Sequence, residues 1–98
     1  MTLYSEEGQC FIDLENFLTV ENVEELHKKL IPFLEKDKEF FVHGIDLKEF
    51  DTIGLQLIIS LKKYVNQHKK TFQMSLGDKE ERLIDFYGLT SYFKESSV

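Results

Sequence analysis

The segment Asp51-Thr52-Ile53-Gly54 places a carboxylate, a hydroxyl and a glycine between two apolar runs. The run before it is typical of a strand and the run after it of a helix, so the segment lies where a helix begins. Backbone N–H groups point outward there, and the helix dipole favours negative charge. A phosphate on Thr52 would add roughly 1.5–2 negative charges beside Asp51. Either residue is also a good helix N-cap, and the two roles are compatible.

The helix after this segment is apolar on nearly every side. Leu55 and Ile58 belong to a stripe that can cover a sheet, whereas Leu57 and Leu61 belong to a second stripe. Either a neighbouring helix covers the second stripe, or it is exposed for a partner beside Thr52. The predicted partner-binding residues are Asp51, Ile53, Gly54, Leu55, Leu57, Ile58 and Leu61.

The rest of the chain alternates between strand and helix patterns. Thr19 is the expected N-cap of the first helix, which Pro32 should kink or end near Leu30 or Ile31. Asp78 is the expected cap of the last helix, which ends at Gly88. The other predicted elements are strands at 9–14, 40–42 and 71–76, a less certain strand at 2–5, and a helix from Gly54 to Gln67 or His68. This order predicts an α/β sandwich with a mixed sheet of four or five strands and helices mainly on one face.

Composition narrows the class of protein. Ninety-eight residues form one domain, with its core at about 9–93. The net charge of −6 argues against nucleic acid, and we expect the lysines between Lys62 and Lys70 to form a solvated helix end. No apolar stretch reaches the ~18 residues of a spanning helix, the N-terminus does not resemble a signal peptide, and the single cysteine fits a reducing cytoplasm.

The other reactive residue types predict no catalytic or metal site. His27 and His68 have no second ligand at metal spacing, and His43 is expected to be a hydrogen-bonded histidine at a strand end rather than a base. Cys10 alternates with apolar residues as a buried side chain does. The pairs Glu24-Glu25 and Glu80-Glu81 are expected on solvated helix faces. We therefore predict a protein that is not an enzyme and needs no cofactor.

The chain resembles the STAS domain of bacterial anti-sigma factor antagonists. The resemblance rests on Asp51-Thr52-Ile53-Gly54-Leu55, on Val23-Glu24-Glu25-Leu26, and on Phe86-Tyr87-Gly88-Leu89 followed by Tyr92-Phe93. It covers about Gln9 to Phe93 with matching element order, and it implies a STAS-like sandwich. The sequence departs from the family pattern at Ile53, which replaces a second hydroxyl, and at His43 and Thr19, which replace common acidic residues.

The resemblance implies a cytoplasmic signalling adaptor that changes partners when Thr52 is phosphorylated. Its partner would be an anti-sigma factor that is also a serine kinase. Asp51 would help to orient the hydroxyl, and Gly54 would allow close approach of the helix start. The Asp-Thr-x-Gly form also resembles the STAS subunit of a phospholipid-transport ABC complex, which docks on its ATPase without phosphorylation. A third interpretation is a ligand-sensing STAS domain, with aromatic residues Phe40, Phe41, Phe72, Phe86 and Tyr87. Neither nucleic-acid binding nor membrane insertion is expected, and the oligomeric state stays open.

Overall fold

The computed structural model describes residues 2–94 and has a mixed α/β fold, as predicted. All three strands that the sequence predicted form, and so does the less certain strand at the N-terminus. The six strands are β1 Thr2–Glu6, β2 Gln9–Asp13, β3 Phe17–Leu18, β4 Glu39–Gly44, β5 Glu49–Phe50 and β6 Thr71–Leu76. The four helices are α1 Val23–Lys36, α2 Thr52–Gln67, α3 Asp78–Phe86 and α4 Thr90–Lys94.

The main sheet has four strands in the order β1-β2-β4-β6. Strands β2, β4 and β6 are parallel, and β1 is antiparallel to β2. The β1–β2 hairpin turns through Glu7 and Gly8, which both have positive φ (52° and 81°). This pair of dihedral signs is typical of a type I′ turn, whose twist matches that of the strands. The parallel strands require crossover connections, which α1 and α2 provide.

Helices α1 and α2 cover one face of the main sheet. Alternate strand residues such as Ile12, Phe40 and Val42 are buried in one core with side chains from these helices, among them Leu26 and Ile58. Strand residues on the opposite face are exposed or half-buried. The prediction that helices pack mainly on one face is therefore confirmed. None of the helices in the described part of the chain is long and apolar enough to cross a membrane.

The first helix differs from its prediction at both ends. It begins after Asn22 rather than Thr19, and it continues through Pro32 to Lys36. Proline removes only one helical hydrogen bond, and the turn that follows it packs Phe33 and Leu34 against the core. Packing of that turn explains why the helix does not end at the proline.

A second, very small sheet was not predicted from the sequence. Strands β3 and β5 have two residues each and pair in parallel, with Phe17 opposite Glu49 and Leu18 opposite Phe50. Segments this short have no detectable periodicity. This small sheet determines where the segment beginning at Asp51 lies, because β5 ends immediately before it.

Candidate functional site

The candidate site lies at the edge of the sheet where the parallel strands end. Strands β2, β4 and β6 run in the same direction, so their carboxyl ends share one edge, and each leads toward the start of the next main helix. Thr52 is the first residue of α2 at this edge, and its side chain is exposed. In open α/β sheets this edge is where ligands commonly bind, because helix N-termini and loops converge there.

Asp51 is the N-cap of α2. Its Oδ1 accepts a hydrogen bond from the backbone N–H of Gly54 at 2.9 Å, and its Oδ2 accepts one from the N–H of Val20 at 3.1 Å. The bond from Gly54 is the main cause that lowers the pKa of Asp51 below its ordinary value of 3.8. Of the two N-caps left open by the sequence, the structure selects Asp51. Both carboxylate oxygens are bound to backbone, so the role of Asp51 here is to fix the backbone around Thr52.

The loop that supplies the Val20 N–H is itself fixed by side chains. Asn22 Oδ1 accepts a hydrogen bond from the Thr19 N–H at 2.8 Å, and Asn22 Nδ2 donates to the Phe17 carbonyl at 2.9 Å. Asn22 and Thr19 are both buried. The expected N-cap Thr19 thus forms part of a tight turn, and its hydroxyl accepts from the Glu21 N–H at 3.2 Å. Sequence reasoning missed Asn22, although asparagine before a helix is a common capping signal.

Gly54 lies against the backbone of β3. A Cβ atom at this position would collide with the carbonyl oxygen of Leu18 and would lie 2.8 Å from its carbonyl carbon. Only glycine fits here without movement of the backbone. The close approach that the family resemblance implied for Gly54 is present, and the element approached is β3.

The accessible surface around the helix start is small and partly apolar. Val20, whose backbone N–H binds Asp51, is 62% exposed, and Ile53, which follows the exposed Thr52 in the chain, is 39% exposed. We call Val20, Asp51, Thr52 and Ile53 the Thr52 surface. It combines two apolar side chains, one hydroxyl and one carboxylate on a backbone held by hydrogen bonds.

The predicted docking face extends too far along α2. Leu55, Ile58 and Leu61 are buried at 3%, 3% and 6% exposure, and Leu57 is half-buried against the core. These residues are core residues, and Gly54 is buried against Leu18, which corrects the prediction that all of them face a partner. The N-terminal turn of α2 packs close to β3, and Ile58 and Leu61 lie in the core that α1 shares, so both stripes find neighbours within the domain.

A second carboxylate at the same edge was missed. Glu80 is 1% exposed, and its Oε1 accepts from the N–H groups of Gly77 at 3.1 Å and Asp46 at 3.3 Å, while its Oε2 accepts from Leu47 at 3.2 Å. The N-cap of α3 is Gly77 rather than the predicted Asp78. Glu80 was expected on a solvated face because Glu81 adjoins it. The bond to Gly77 is local, but the sequence offers no signal for the burial of Glu80, since its other two partners lie in the loop after β4.

The remaining carboxylates and the histidines lie mostly on the surface. Glu24 and Glu25 pair with lysines one turn later on exposed helix faces, as predicted. His27, His43 and His68 are exposed. Among the residues that the structure describes, no group of three or more potential ligands could hold a metal ion.

Cys10 is fully buried, as predicted from its alternation with apolar residues. Burial, together with the charge of Asp37, raises the pKa of its thiol to about 12. Such a thiol stays protonated at neutral pH and is a weak nucleophile.

The lysines of α2 and the following turn are not all solvated. Lys62 is 1% exposed, and its Nζ lies 5.2 Å from the centre of the Tyr92 ring, 5.9 Å from that of Phe72 and 6.0 Å from that of Phe93. These distances are in the range of cation–π attraction. Lys62 thus links α2 to α4, which corrects the prediction of a solvated cluster for this residue.

Comparisons with models of known protein families and with curated proteins found no match for this chain. The resemblance to the STAS domain therefore stays a prediction that rests on the residues quoted for it.

Proposed function

We propose that this protein is a cytoplasmic bacterial signalling adaptor of the anti-sigma factor antagonist type, with Thr52 as its phosphoacceptor. The observation that supports the proposal best is the setting of Thr52. Its exposed hydroxyl lies at the start of α2, on a backbone that Asp51 fixes through two hydrogen bonds. A kinase needs an accessible hydroxyl on a reproducible backbone, and this position provides both.

Phosphorylation would act on docking rather than on folding. A phosphate at a helix N-terminus is favoured by the dipole and by the outward N–H groups, so the domain tolerates it. The same phosphate would lie between Asp51 and Ile53 in the chain, on the surface to which the exposed Val20 also belongs. A partner that covers these residues would have to desolvate roughly 1.5–2 added negative charges, and it would then dissociate.

The direct test is phosphopeptide mapping by mass spectrometry of the protein purified from its native cells. We expect phosphate on Thr52 that disappears on phosphatase treatment. Ser60 provides an internal control, because it is an exposed hydroxyl on the same helix, about two turns further along. Phosphate found only at Ser60 or other positions would contradict the proposal.

A second test asks whether a negative charge at Thr52 itself, rather than anywhere on α2, weakens binding to the partner. Thr52→Glu should weaken binding to the partner about tenfold, which corresponds to ~1.4 kcal/mol. Ser60→Glu adds the same charge to the same helix and should change affinity less than about twofold. Equal effects of the two substitutions would indicate a general charge effect rather than a switch at Thr52.

The alternative function is a STAS subunit of a phospholipid-transport ABC complex that docks on its ATPase. One observation favours it: Ile53, at the position of a second hydroxyl in the family, is an apolar side chain that is 39% exposed. Such residues suit an interface that stays covered. Co-purification with an ABC ATPase at fixed stoichiometry, with Thr52 unmodified, would select this function.

The ligand-sensing interpretation has less support from the arrangement of the rings. Phe40 and Phe41 are adjacent on β4 and therefore lie on opposite faces of the sheet, and Phe86 is 80% exposed on α3. These side chains do not line a common cavity.

A further inference from the structure

The main sheet has an open face, opposite to the core, where strand side chains line a shallow groove. The register aligns these side chains in three rows that cross all four strands. The middle row contains Tyr4, Phe11, Phe41 and Gln73, in that order across the sheet. Tyr4 is 51% exposed, and the two phenylalanines are half-buried. We call the twelve positions of the three rows the open face: Thr2, Tyr4 and Glu6 on β1, Gln9, Phe11 and Asp13 on β2, Glu39, Phe41 and His43 on β4, and Thr71, Gln73 and Ser75 on β6.

The three rings of the middle row form a stack. The centres of Tyr4 and Phe11 lie 4.8 Å apart with an angle of 17° between the ring planes, and those of Phe11 and Phe41 lie 5.1 Å apart at 12°. Because these separations are close to the spacing of neighbouring strands, the rings stand upright on the sheet and stack face to face. One side of Phe41 is thus covered by Phe11, and its other side points along the row toward Gln73. The stack ends there, since Gln73 has no ring.

The two outer rows are acidic. Asp13 lies in one outer row beside His43, and Glu6 and Glu39 lie in the other. None of the twelve positions of the open face is a lysine or an arginine. Each outer row is separated from the middle row by two residues along the strand, which is ~6.7 Å.

Hydrogen bonds hold two of these carboxylates in place. Gln9 Nε2 donates to Glu39 Oε2 at 2.7 Å, and the Glu15 backbone N–H donates to Asp13 Oδ1 at 3.0 Å. Each carboxylate keeps a second oxygen that can accept from a partner. Their positions above and below the stack are therefore defined before any partner binds, which lowers the entropy cost of binding.

From this arrangement we propose that the open face binds an extended, arginine-bearing segment of a protein partner. One guanidinium extends the stack on the side of Phe41 above Gln73, and basic side chains two residues before and after it pair with the acidic rows. Arginine suits the middle position because its planar cation can stack face to face on an aromatic ring, whereas a lysine ammonium is attracted to the ring as a point charge and has no plane to stack. Residues i, i+2 and i+4 of an extended segment repeat at ~6.7 Å, which matches the distance between rows.

The negative charge of the open face argues against two other binding partners. A second copy of this chain, placed face to face, would bring the carboxylates of both open faces together. Nucleic acid bases could stack on the rings, but the acidic rows would repel the phosphates. The proposed surface is separate from the Thr52 surface and does not depend on phosphorylation.

The test uses the full chain labelled with ¹⁵N and the probe peptide acetyl-Arg-Ala-Arg-Ala-Arg-amide, titrated by NMR. We expect shift changes centred on the amides of Phe11, Phe41 and Gln73. The analogue with three lysines should bind about fivefold more weakly, because it keeps the charge and loses the stacking. Equal affinity for the two peptides, or shift changes spread over the acidic helix faces instead, would overturn the proposal.

Variants supply a matched comparison. The triple substitution E6Q/D13N/E39Q should weaken binding about tenfold, because it removes the carboxylates of both outer rows, with which the two outer arginines pair. The control triple E24Q/E25Q/E81Q changes the net charge equally on exposed helix positions and should weaken binding less than about twofold. Similar losses in both triples would show only a bulk charge effect and would refute a built site.

The ring at the end of the stack is tested by Phe41→Leu, which we expect to weaken binding about fivefold. Sedimentation of the chain without peptide tests whether a second copy of the chain covers the open face. A dimer at micromolar concentration that Phe41→Leu dissociates would overturn the proposal, because a second copy would then cover the open face.

Discussion

At the starts of α2 and α3 a carboxylate binds backbone N–H groups, but the two helix starts differ in how much of their surface stays accessible. Both helices begin at the same edge of the sheet, and in both a carboxylate accepts a hydrogen bond from a backbone N–H group at the helix start. Asp51 is half-exposed beside the accessible Thr52, whereas Glu80 is 1% exposed and accepts from three N–H groups. Capping chemistry alone therefore does not mark a functional site. The difference is what remains accessible once the backbone is satisfied.

Burial should make the carboxylate of α3 the more important of the two for stability. Glu80→Ala leaves the N–H groups of Asp46 and Leu47 without their acceptor and leaves that of Gly77 with the Gly44 carbonyl alone, and we expect a loss of about 3 kcal/mol in the free energy of unfolding. Urea denaturation measures it. Glu81→Ala, on the exposed neighbour, should change stability by less than about 0.5 kcal/mol. A loss under ~1 kcal/mol for Glu80→Ala would mean that the two helix starts are equivalent.

Glycine substitutions compare the space beside each helix start. At Gly54 an added methyl group meets the backbone of Leu18, and we expect Gly54→Ala to cost about 2 kcal/mol. At Gly77 the nearest atom is the carboxylate oxygen Oε1 of Glu80, at 2.7 Å, which is the end of a side chain. Gly77→Ala should therefore cost clearly less. Thermal unfolding of both variants decides the point, and a larger loss at Gly77 would contradict it.

The cap of α2 should contribute less than that of α3. Asp51→Ala removes the acceptor for the N–H groups of Gly54 and Val20 at a partly exposed position, so we expect a loss of about 1 kcal/mol. Asp51→Asn keeps one acceptor oxygen and should lie between the wild-type protein and Asp51→Ala. Denaturant unfolding of the three proteins at pH 7 gives the ranking.

The pH dependence of stability offers a separate check on Asp51. Its pKa is lowered in the folded state, so its contribution is fully present above the ordinary value of 3.8 and is lost as the pH falls through the lowered pKa. The difference in unfolding free energy between the wild-type protein and Asp51→Asn should be constant near neutral pH and should shrink below pH 3.8. A difference that grows with acidity would have the wrong sign for this account.

The smallest effect on stability is expected at Thr52. Thr52→Glu places a negative charge in the first turn of α2, where the helix dipole favours it by ~0.5 kcal/mol. We therefore expect thermal stability to be unchanged or slightly higher. A loss of more than about 1 kcal/mol would show that the Thr52 side chain supports the fold, which would weaken the case for a modification site.

Periodicity was enough to predict the strands of the main sheet and the three longer helices, α1, α2 and α3. The alternation in residues 71–76 and the steps of three and four residues in α1 each report one buried face, which is a local property. The mixed sheet with helices on one face follows from the order of these elements. Their ends were less predictable, since periodicity does not report the local hydrogen bonds of Asn22 with Thr19 and of Gly77 with Glu80 at the helix starts.

The site was predictable only in part, because its contacts join distant segments. The position of Thr52 at a helix start followed from its sequence neighbours. The bond from Val20 to Asp51 joins residues thirty-one positions apart, and Glu80 reaches Asp46 across thirty-four. No short sequence window contains both partners. The burial of Leu55, which was predicted to face a partner, likewise depends on a distant segment, because the start of α2 packs against β3.

The close packing of Gly54 on Leu18 has a consequence for engineering and for evolution. The four residues from Asp51 are only half of a unit, and the other half is the segment from Phe17 to Val20. Grafting these four residues alone onto another scaffold would transfer their sequence but not their backbone geometry. Conversely, substitutions in the distant segment can retune the geometry at Thr52 while the motif itself stays unchanged.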